Sequence, residues 1–305
     1  IKYRPVSNFA VRASYAESFL APSLKQLFSG QEEGAESTSD TDIICPAFGV
    51  PAVACDAFPY RNVTGSNPNL KPETGQTRNI GFVFEPLPEL AVAMDFWSIK
   101  KKNEVNQPTV ESAVQQGLFN RRPSGEWQVF TNNQNIAGSE SSGVDVDVRA
   151  RLADTPWGKL SLRNNATYYH SVKTRTDVGD PLLEYVGTFL TPRWRNTLTF
   201  SLDSTNWATT LAVRTTAGMR DTEQDASSTA YRNARHIGTH EEVDLGVQYS
   251  GLQNLTLAGS VKNLLDNSVP YSQRGTLNQN GSLGFPWIYN PRGRFFQVSA
   301  NYKFY

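Results

Sequence analysis

The residues able to do chemistry in this 305-residue chain are few, and their spacing argues against catalysis. Of three histidines, His236 and His240 stand four apart with Glu241 and Glu242 close behind. Such a set can ligate a metal, but the pair lies in or beside a loop, and solvated loop residues are the simpler reading. His170 stands alone. The two cysteines, Cys45 and Cys55, lie in a polar loop with no nearby histidine and fall short of a zinc set. They suit a disulfide in an oxidising compartment, whose short loop would stabilise by roughly 2–3 kcal/mol. Ser139–Ser142 precedes a strand and reads as a loop end, not a nucleophile. No GxSxG, HExxH or phosphate-loop pattern is present. No enzyme, metal or cofactor is expected.

The charged residues are more informative. Asp145, Asp147, Arg149 and Arg151 alternate with Val144, Val146, Val148, Ala150 and Leu152. Period 2 defines a strand with one charged and one apolar face. Asp95 stands in the same way between Met94 and Phe96. In a soluble sandwich such charges would meet solvent; in a membrane barrel they would line the lumen. There they could border a permeation path or pair with charges on neighbouring strands or on a plug.

The elements that must position these residues are strands throughout. Phe9–Tyr15, Arg78–Phe84, Leu90–Trp97, Lys159–Lys173, Arg193–Asp203, Trp207–Thr216, Glu241–Ser250 and Leu255–Val261 show period 2. The last stretch, from Phe296 to Phe304, sets Phe296, Val298, Ala300, Tyr302 and Phe304 against Gln297, Ser299, Asn301 and Lys303. About 11 residues from Arg294 to Phe304 suffice to cross a bilayer at the usual tilt. Val110, Val114 and Leu118 predict a helical turn or two over Thr109–Phe119.

Connection length separates a barrel from a sandwich. The turns at 5–8, 85–89, 154–158, 204–206 and 251–254 hold about three to five residues, whereas the intervening connections hold about 15 to 60. Segments 17–75 and 102–138 read as long irregular excursions. An outer-membrane barrel gives this alternation directly, with short periplasmic turns and long extracellular loops. Trp157 and Trp207 beside short turns, and Trp194 and Tyr168 toward the long loops, sit where an aromatic belt would. Composition agrees: 29 basic against 29 acidic residues gives no basic excess for nucleic acid. Mean hydropathy is −0.46, and no apolar run reaches the ~18 residues of a transmembrane helix.

Ten full strands plus a stub at 1–4 make about eleven. An odd, open barrel in lipid would leave edge groups unpaired. Residues 1–305 are therefore expected to be the C-terminal part of a larger β-barrel domain. Ile1-Lys2-Tyr3-Arg4 reads as the tail of a strand already under way. The terminal strand should pair with Leu255–Val261 on one side and with a first barrel strand outside this chain on the other.

Several stretches resemble TonB-dependent outer-membrane receptors, and together they span nearly the whole chain. They are Arg12–Phe19 with the following Ala21-Pro22, Asn67–Thr74 (NPNLKPET), Val261–Asp266 (VKNLLD), and Asn290–Arg294 with the aromatic end. Leu265 stands where the family more often has Phe, and Tyr305 follows the aromatic on which it usually stops. The resemblance implies a barrel of about 22 strands, with an N-terminal plug carrying the TonB-binding segment. It implies active uptake of a scarce nutrient, whether ferric siderophore, haem, cobalamin, nickel complex or oligosaccharide, at the outer membrane of a Gram-negative bacterium. Outer-membrane lipid, the TonB complex and the barrel-assembly machinery are the partners it implies. Ligand contacts would fall among loop aromatics and arginines: Tyr60, Arg61, Arg121, Arg122, Trp127, Trp287 and Tyr289. Two readings compete: a passive pore or barrel adhesin without a plug, and a soluble secreted carbohydrate-binding β-protein. The second requires Phe82, Phe84, Leu211 and Val213 to pack on another sheet.

Overall fold

Strict alternation of apolar and polar residues folds here into long antiparallel strands, because each strand can then give its two sides to two different environments. The structure is a computed structural model that describes residues 1–272 and 288–304. Trp287 and Tyr305 lie outside the described residues.

The chain opens with β1 (Lys2–Val6) and β2 (Phe9–Leu20), then α1 (Leu24–Phe28), β3 (Glu32–Thr38), α2 (Ile44–Ala47) and β4 (Phe58–Thr64). Two long strands follow, β5 (Glu73–Leu87) and β6 (Leu90–Asn106). After α3 (Val110–Gln115), β7 (Phe119–Arg121) and β8 (Trp127–Phe130) come β9 (Gln134–Thr155) and β10 (Gly158–Arg175). The short β11 (Leu183–Glu184) precedes β12 (Trp194–Asp203) and β13 (Trp207–Thr216). Next stand β14 (Met219–Arg220), α4 (Thr229–Asn233), β15 (His236–Ile237) and β16 (His240–Leu252). The described elements end with β17 (Leu255–Lys262) and β18 (Phe295–Tyr302).

One twelve-stranded sheet runs in the order β1-β2-β5-β6-β9-β10-β12-β13-β16-β17-β18, with β11 attached to β10 alone. The continuous path thus has eleven strands, the number expected from sequence. Every pairing along it is antiparallel. Nearest-neighbour order is what tight turns impose: Ser7–Asn8, Pro88–Glu89, Pro156–Trp157, Ser204–Asn206 and Gln253–Asn254 each join adjacent strands. The expected pairing of the last strand holds, since Leu255 to Lys262 on β17 face Tyr302 to Phe295 on β18. β1 and β18 are the edges of the sheet, and Pro5 lies in β1, where a missing N–H is tolerated.

The register sorts the faces. Phe82, Phe96, Val144, Leu198, Val213, Val243, Val261 and Phe296 fall on one side, and Arg12, Asp95, Asp145, Asp147, Arg214, Asp244 and Gln297 on the other. The apolar side is uncovered. Val298 is 85 % exposed, and none of Phe82, Phe84, Leu211 and Val213 is buried. A soluble sandwich, which needed a second sheet over those four residues, is therefore overturned.

Where the two long excursions were expected to be irregular, they fold together. The acidic segment 31–42 contains β3, and β3, β4, β8 and β7 form a four-stranded sheet in that order, with β4 and β8 parallel. Ile44, Phe48, Tyr60, Ala113, Val114 and Val129 form its buried core, which Ile43, Leu118, Phe119 and Trp127 extend. This loop domain, not the sheet, holds the main apolar core among the described residues. The expected helix is shorter than its apolar spacing suggested. Thr109 caps α3 through its hydroxyl, and the chain leaves the helix at Gly117, whose φ of 74° suits glycine.

Candidate functional site: a polar wall under folded loops

On the polar side of the sheet, Arg12, Gly81, Asp95, Asp145, Thr167 and Arg195 are successive Cα partners across six strands. Arg12 Nε donates to Asp95 Oδ1 at 2.8 Å, reaching over the intervening strand β5. One row away, Asp147 accepts from Arg149 at 2.7 Å, from Arg163 at 3.0 Å and from Asn165 at 2.8 Å. Asp145 accepts from the Thr167 hydroxyl at 2.7 Å. A third cluster lies nearer β18. There Arg214 binds Glu242 at 2.5 Å and also pairs with Asp244, which accepts from Lys262 at 3.0 Å and from the Asn263 N–H at 2.9 Å.

Arg12, Asp95, Asp145, Asp147, Arg149 and Arg195 line an open cleft of about 590 Å³ on this face. Four of the five expected wall residues therefore come together. Arg151, next on the same face of β9, is exposed and does not line the cleft. Opposite charges here are matched across strands, so the wall offers hydrogen-bonding groups in place of one strong field of a single sign. Sequence reasoning missed Arg12, Arg163, Arg195, Arg214, Asp244 and Lys262. Alternation on their own strands was the available signal, but their partners are set by register alone.

The loop candidates separate into two groups. Tyr60, Arg61, Arg121, Arg122 and Trp127 meet in the loop domain, although the chain separates them by up to 67 positions. Tyr60 is buried and donates its hydroxyl to Glu36 at 2.6 Å. Burial and that neighbouring carboxylate push its phenol well above the ordinary range. The Trp127 ring stacks on Phe48 with centroids 4.6 Å apart. Arg61 and Arg122 share two carboxylates: Glu33 lies 3.7 Å from Arg61 and 2.5 Å from Arg122, and Glu126 lies 3.4 and 3.8 Å away. Arg121 lies over Trp127, 5.7 Å from the ring centroid. Tyr60 thus serves the loop core, while the three arginines edge its surface. The Cys45–Cys55 disulfide is formed with both residues buried, stapling the α2 segment to the approach of β4.

Tyr289 belongs to a second cluster with Met219 and Ile237, and its ring meets His240 edge-on at 4.8 Å. His240 is itself buried, 3.3 Å from Glu242. His236 lies on β15 and pairs with Arg220 across the small hairpin. No group of three or more His, Cys, Asp or Glu residues able to hold a metal occurs among the described residues.

The sequence motifs act as fasteners. Asn67 donates its amide to the Asn133 carbonyl and accepts from the Asn69 N–H, both at 2.9 Å. Asn135 exchanges two 2.8 Å bonds with Lys71, and Glu73 accepts from the Val105 N–H at 3.0 Å. The NPNLKPE stretch therefore ties the first long connection to β6 and β9. In Val261–Asp266, Asn263 and Asn267 bond reciprocally at 2.9 Å. Asp266 accepts from the Arg294 N–H at 2.8 Å, joining the two ends of the last connection. Asp177, from the connection after β10, accepts from the N–H and hydroxyl of Thr109 and from the Ser112 hydroxyl, capping α3 from outside.

An antiparallel sheet with one exposed apolar side, one ion-paired polar side, tight turns at one end and folded connections at the other is the wall of an outer-membrane-type β-barrel. The family model described as "TonB dependent receptor-like, beta-barrel" matches residues 1–264. The chain belongs to that family, whose members are outer-membrane receptors and transporters, not enzymes. Its fold is similar to that of the ferric enterobactin receptor PfeA of Pseudomonas aeruginosa, in a mutant form, with a TM-score of 0.69 and 16% identity over 99% of this chain and 39% of that one. The siderophore receptor PirA of Acinetobacter baumannii gives 0.65 and 13%, covering 99% and 40%. The ferric-catecholate import receptor Fiu of E. coli gives 0.52 and 17%, covering 99% and 34%. The chain spans about two fifths of the first of these relatives. No curated protein matches it.

Proposed function

We propose that residues 1–305 are the C-terminal part of the barrel of an outer-membrane active transporter. A plug outside these residues would fill the lumen against the polar wall and couple to TonB. The carrying observation is the placement of the loop domain at the long-connection end of a charge-matched family barrel. A folded cap there suits capture of a solute, and a wall of satisfied ion pairs suits contact with a removable plug. The Arg61, Arg121 and Arg122 edge with Trp127 is the surface we assign to ligand contact, where guanidinium groups beside aromatic faces recognise anionic or aromatic solutes.

A ferric siderophore is the substrate class to test first, because structural neighbours are described as siderophore receptors; cobalamin, haem and oligosaccharide are the competing classes. A deletion strain should lose growth on one defined ferric siderophore and regain it with the full-length gene only when TonB is present. Unchanged growth on every defined iron, cobalamin, haem and carbon source would overturn the transport reading. TonB-independent restoration would point to a passive pore.

A further inference from the structure

β3 is an outer strand of the loop-domain sheet, paired with β4 on one side and with no described strand on the other. Backbone groups point to alternate sides along a strand. The Val63 carbonyl accepts from the Thr131 N–H on the β8 side of β4, so Val63 and Arg61 turn their backbone groups toward β8. Thr64, Asn62, Tyr60 and Phe58 then turn theirs toward β3, where they face Glu32, Gly34, Glu36 and Thr38. The N–H and C=O groups of Glu33, Ala35 and Ser37 are left pointing outward, along an open edge about 20 Å long.

Natural sheets guard such an edge with lysine, proline, a bulge or a covering segment. Among the described residues β3 has none of these. Its sequence is EEGAEST, its pairing runs without a register shift, and its first six residues are exposed. A Cβ added at Gly34 would meet nothing within 4 Å. Two of its glutamates are turned to their own sheet: Glu33 pairs with Arg61 and Arg122, and Glu36 accepts from Tyr60 and Asn62. Neither blocks the edge.

Charge selects the occupant. Residues 26–60 hold Glu32, Glu33, Glu36, Asp40, Asp42 and Asp56 but no lysine or arginine. Among the described residues only Glu33 of these has an ion pair. A second copy of β3 would bring three more glutamates alongside, and like charges across strands repel. The complementary strand is therefore basic. We propose that the open edge of β3 takes up an extended, lysine- or arginine-bearing segment of another protein, adding it to the loop-domain sheet as a fifth strand. Glu33, Ala35 and Ser37 supply the backbone ladder, and Glu32 at one end with Asp40 and Asp42 beyond the other supply the attraction. The inference rests on the outer-membrane reading above in one respect, that this edge faces the cell exterior.

The test uses full-length protein in mild detergent and a fluorescent peptide that alternates lysine and threonine. Wild type should bind it, and amide exchange at Glu33, Ala35 and Ser37, fast in the free protein, should slow on binding. The same peptide methylated at every backbone nitrogen should bind at least roughly tenfold more weakly, the scale of one or two lost ladder bonds. A peptide alternating glutamate and threonine should be weakened at least as much. Ala35→Pro removes the central open N–H and no bond to β4, and should weaken binding similarly. Glu32→Lys should also weaken it while leaving the backbone unchanged, so the test survives if the proline variant fails to fold. Protease resistance over 31–64 reports that folding. No binding, or equal binding of the methylated or the glutamate peptide, would overturn the proposal. Edge amides already protected in the free full-length protein would overturn it too, by showing that another segment of the same protein fills the edge. Heat-modifiable migration reports on the barrel separately: its absence in wild type would reject the outer-membrane reading, whereas peptide binding judges the edge itself.

Discussion

Gly81 lies directly between the two ends of an ion pair, as the Cα partner of both Arg12 and Asp95. A Cβ at position 81 would stand 2.1 Å from Asp95 Oδ1 and 2.8 Å from the Met94 carbonyl. Glycine is required there for close approach, not for its backbone freedom. The missing side chain lets a guanidinium from β2 reach a carboxylate on β6 over the strand between them.

Gly81→Ala is therefore expected to destabilise the barrel by about 1–3 kcal/mol, the usual range for overpacking a tight site. The measurement is the midpoint of the heat-modifiable shift in detergent. Adding Asp95→Ala should recover part of the loss, because it removes the colliding atoms; strictly additive effects would contradict the crossing geometry.

The disulfide acts on the loop domain alone. Cys45→Ser/Cys55→Ser should lower that domain's stability by roughly 2–3 kcal/mol on the chain-entropy estimate. Limited proteolysis should then cut within 31–64 at lower protease concentration, while barrel migration stays unchanged. A parallel loss of the barrel shift would show that the two cores are not independent.

Asp177 gives a pH signature. Burial raises its pKa, but bonds from Ser112, Thr109 and Val178 outweigh this and hold it below the ordinary 3.8. A carboxylate with a depressed folded pKa contributes fully above the unfolded value, and the contribution is lost as pH falls through the folded one. Asp177→Asn should lower loop-domain stability near neutral pH by about 1 kcal/mol, the scale of a lost cap. The difference from wild type should persist to about pH 4 and close below it; a difference that does not change with pH would exclude the carboxylate.

Tyr289 is buried, its hydroxyl has no hydrogen-bond partner among the described residues, and burial pushes its phenol up to about 12. Tyr289→Phe should thus leave stability unchanged or raise it by up to about 1 kcal/mol. Tyr289→Ala should cost about 3 kcal/mol or more through the cavity beside Met219 and Ile237. If Tyr289→Phe weakened uptake at unchanged stability, the hydroxyl would be a ligand contact, and its packing role would be secondary.

Strand number, strand faces and the alternation of short and long connections were legible in the residues alone. Each is a local property: period 2 needs only neighbours in sequence, and a tight turn needs only a few residues. Val144–Leu152 announced its two faces without any knowledge of what lay beside it. The disulfide was legible for the same reason, since Cys45 and Cys55 are ten positions apart.

What only the tertiary structure decided depends on partners far away in the chain. Tyr60 and Trp127 stood in the sequence only as long-loop candidates for ligand contact; both pack about Phe48 because β4 and β8 come to lie side by side. Segments 17–75 and 102–138 carry no strong periodicity, since their core is assembled from short pieces of both. Asp95 could be placed on the polar face from sequence, but not matched to Arg12, 83 positions away. A strand's own pattern sets which way each side chain points. Register across strands, fixed by turns and bulges, determines what each side chain meets.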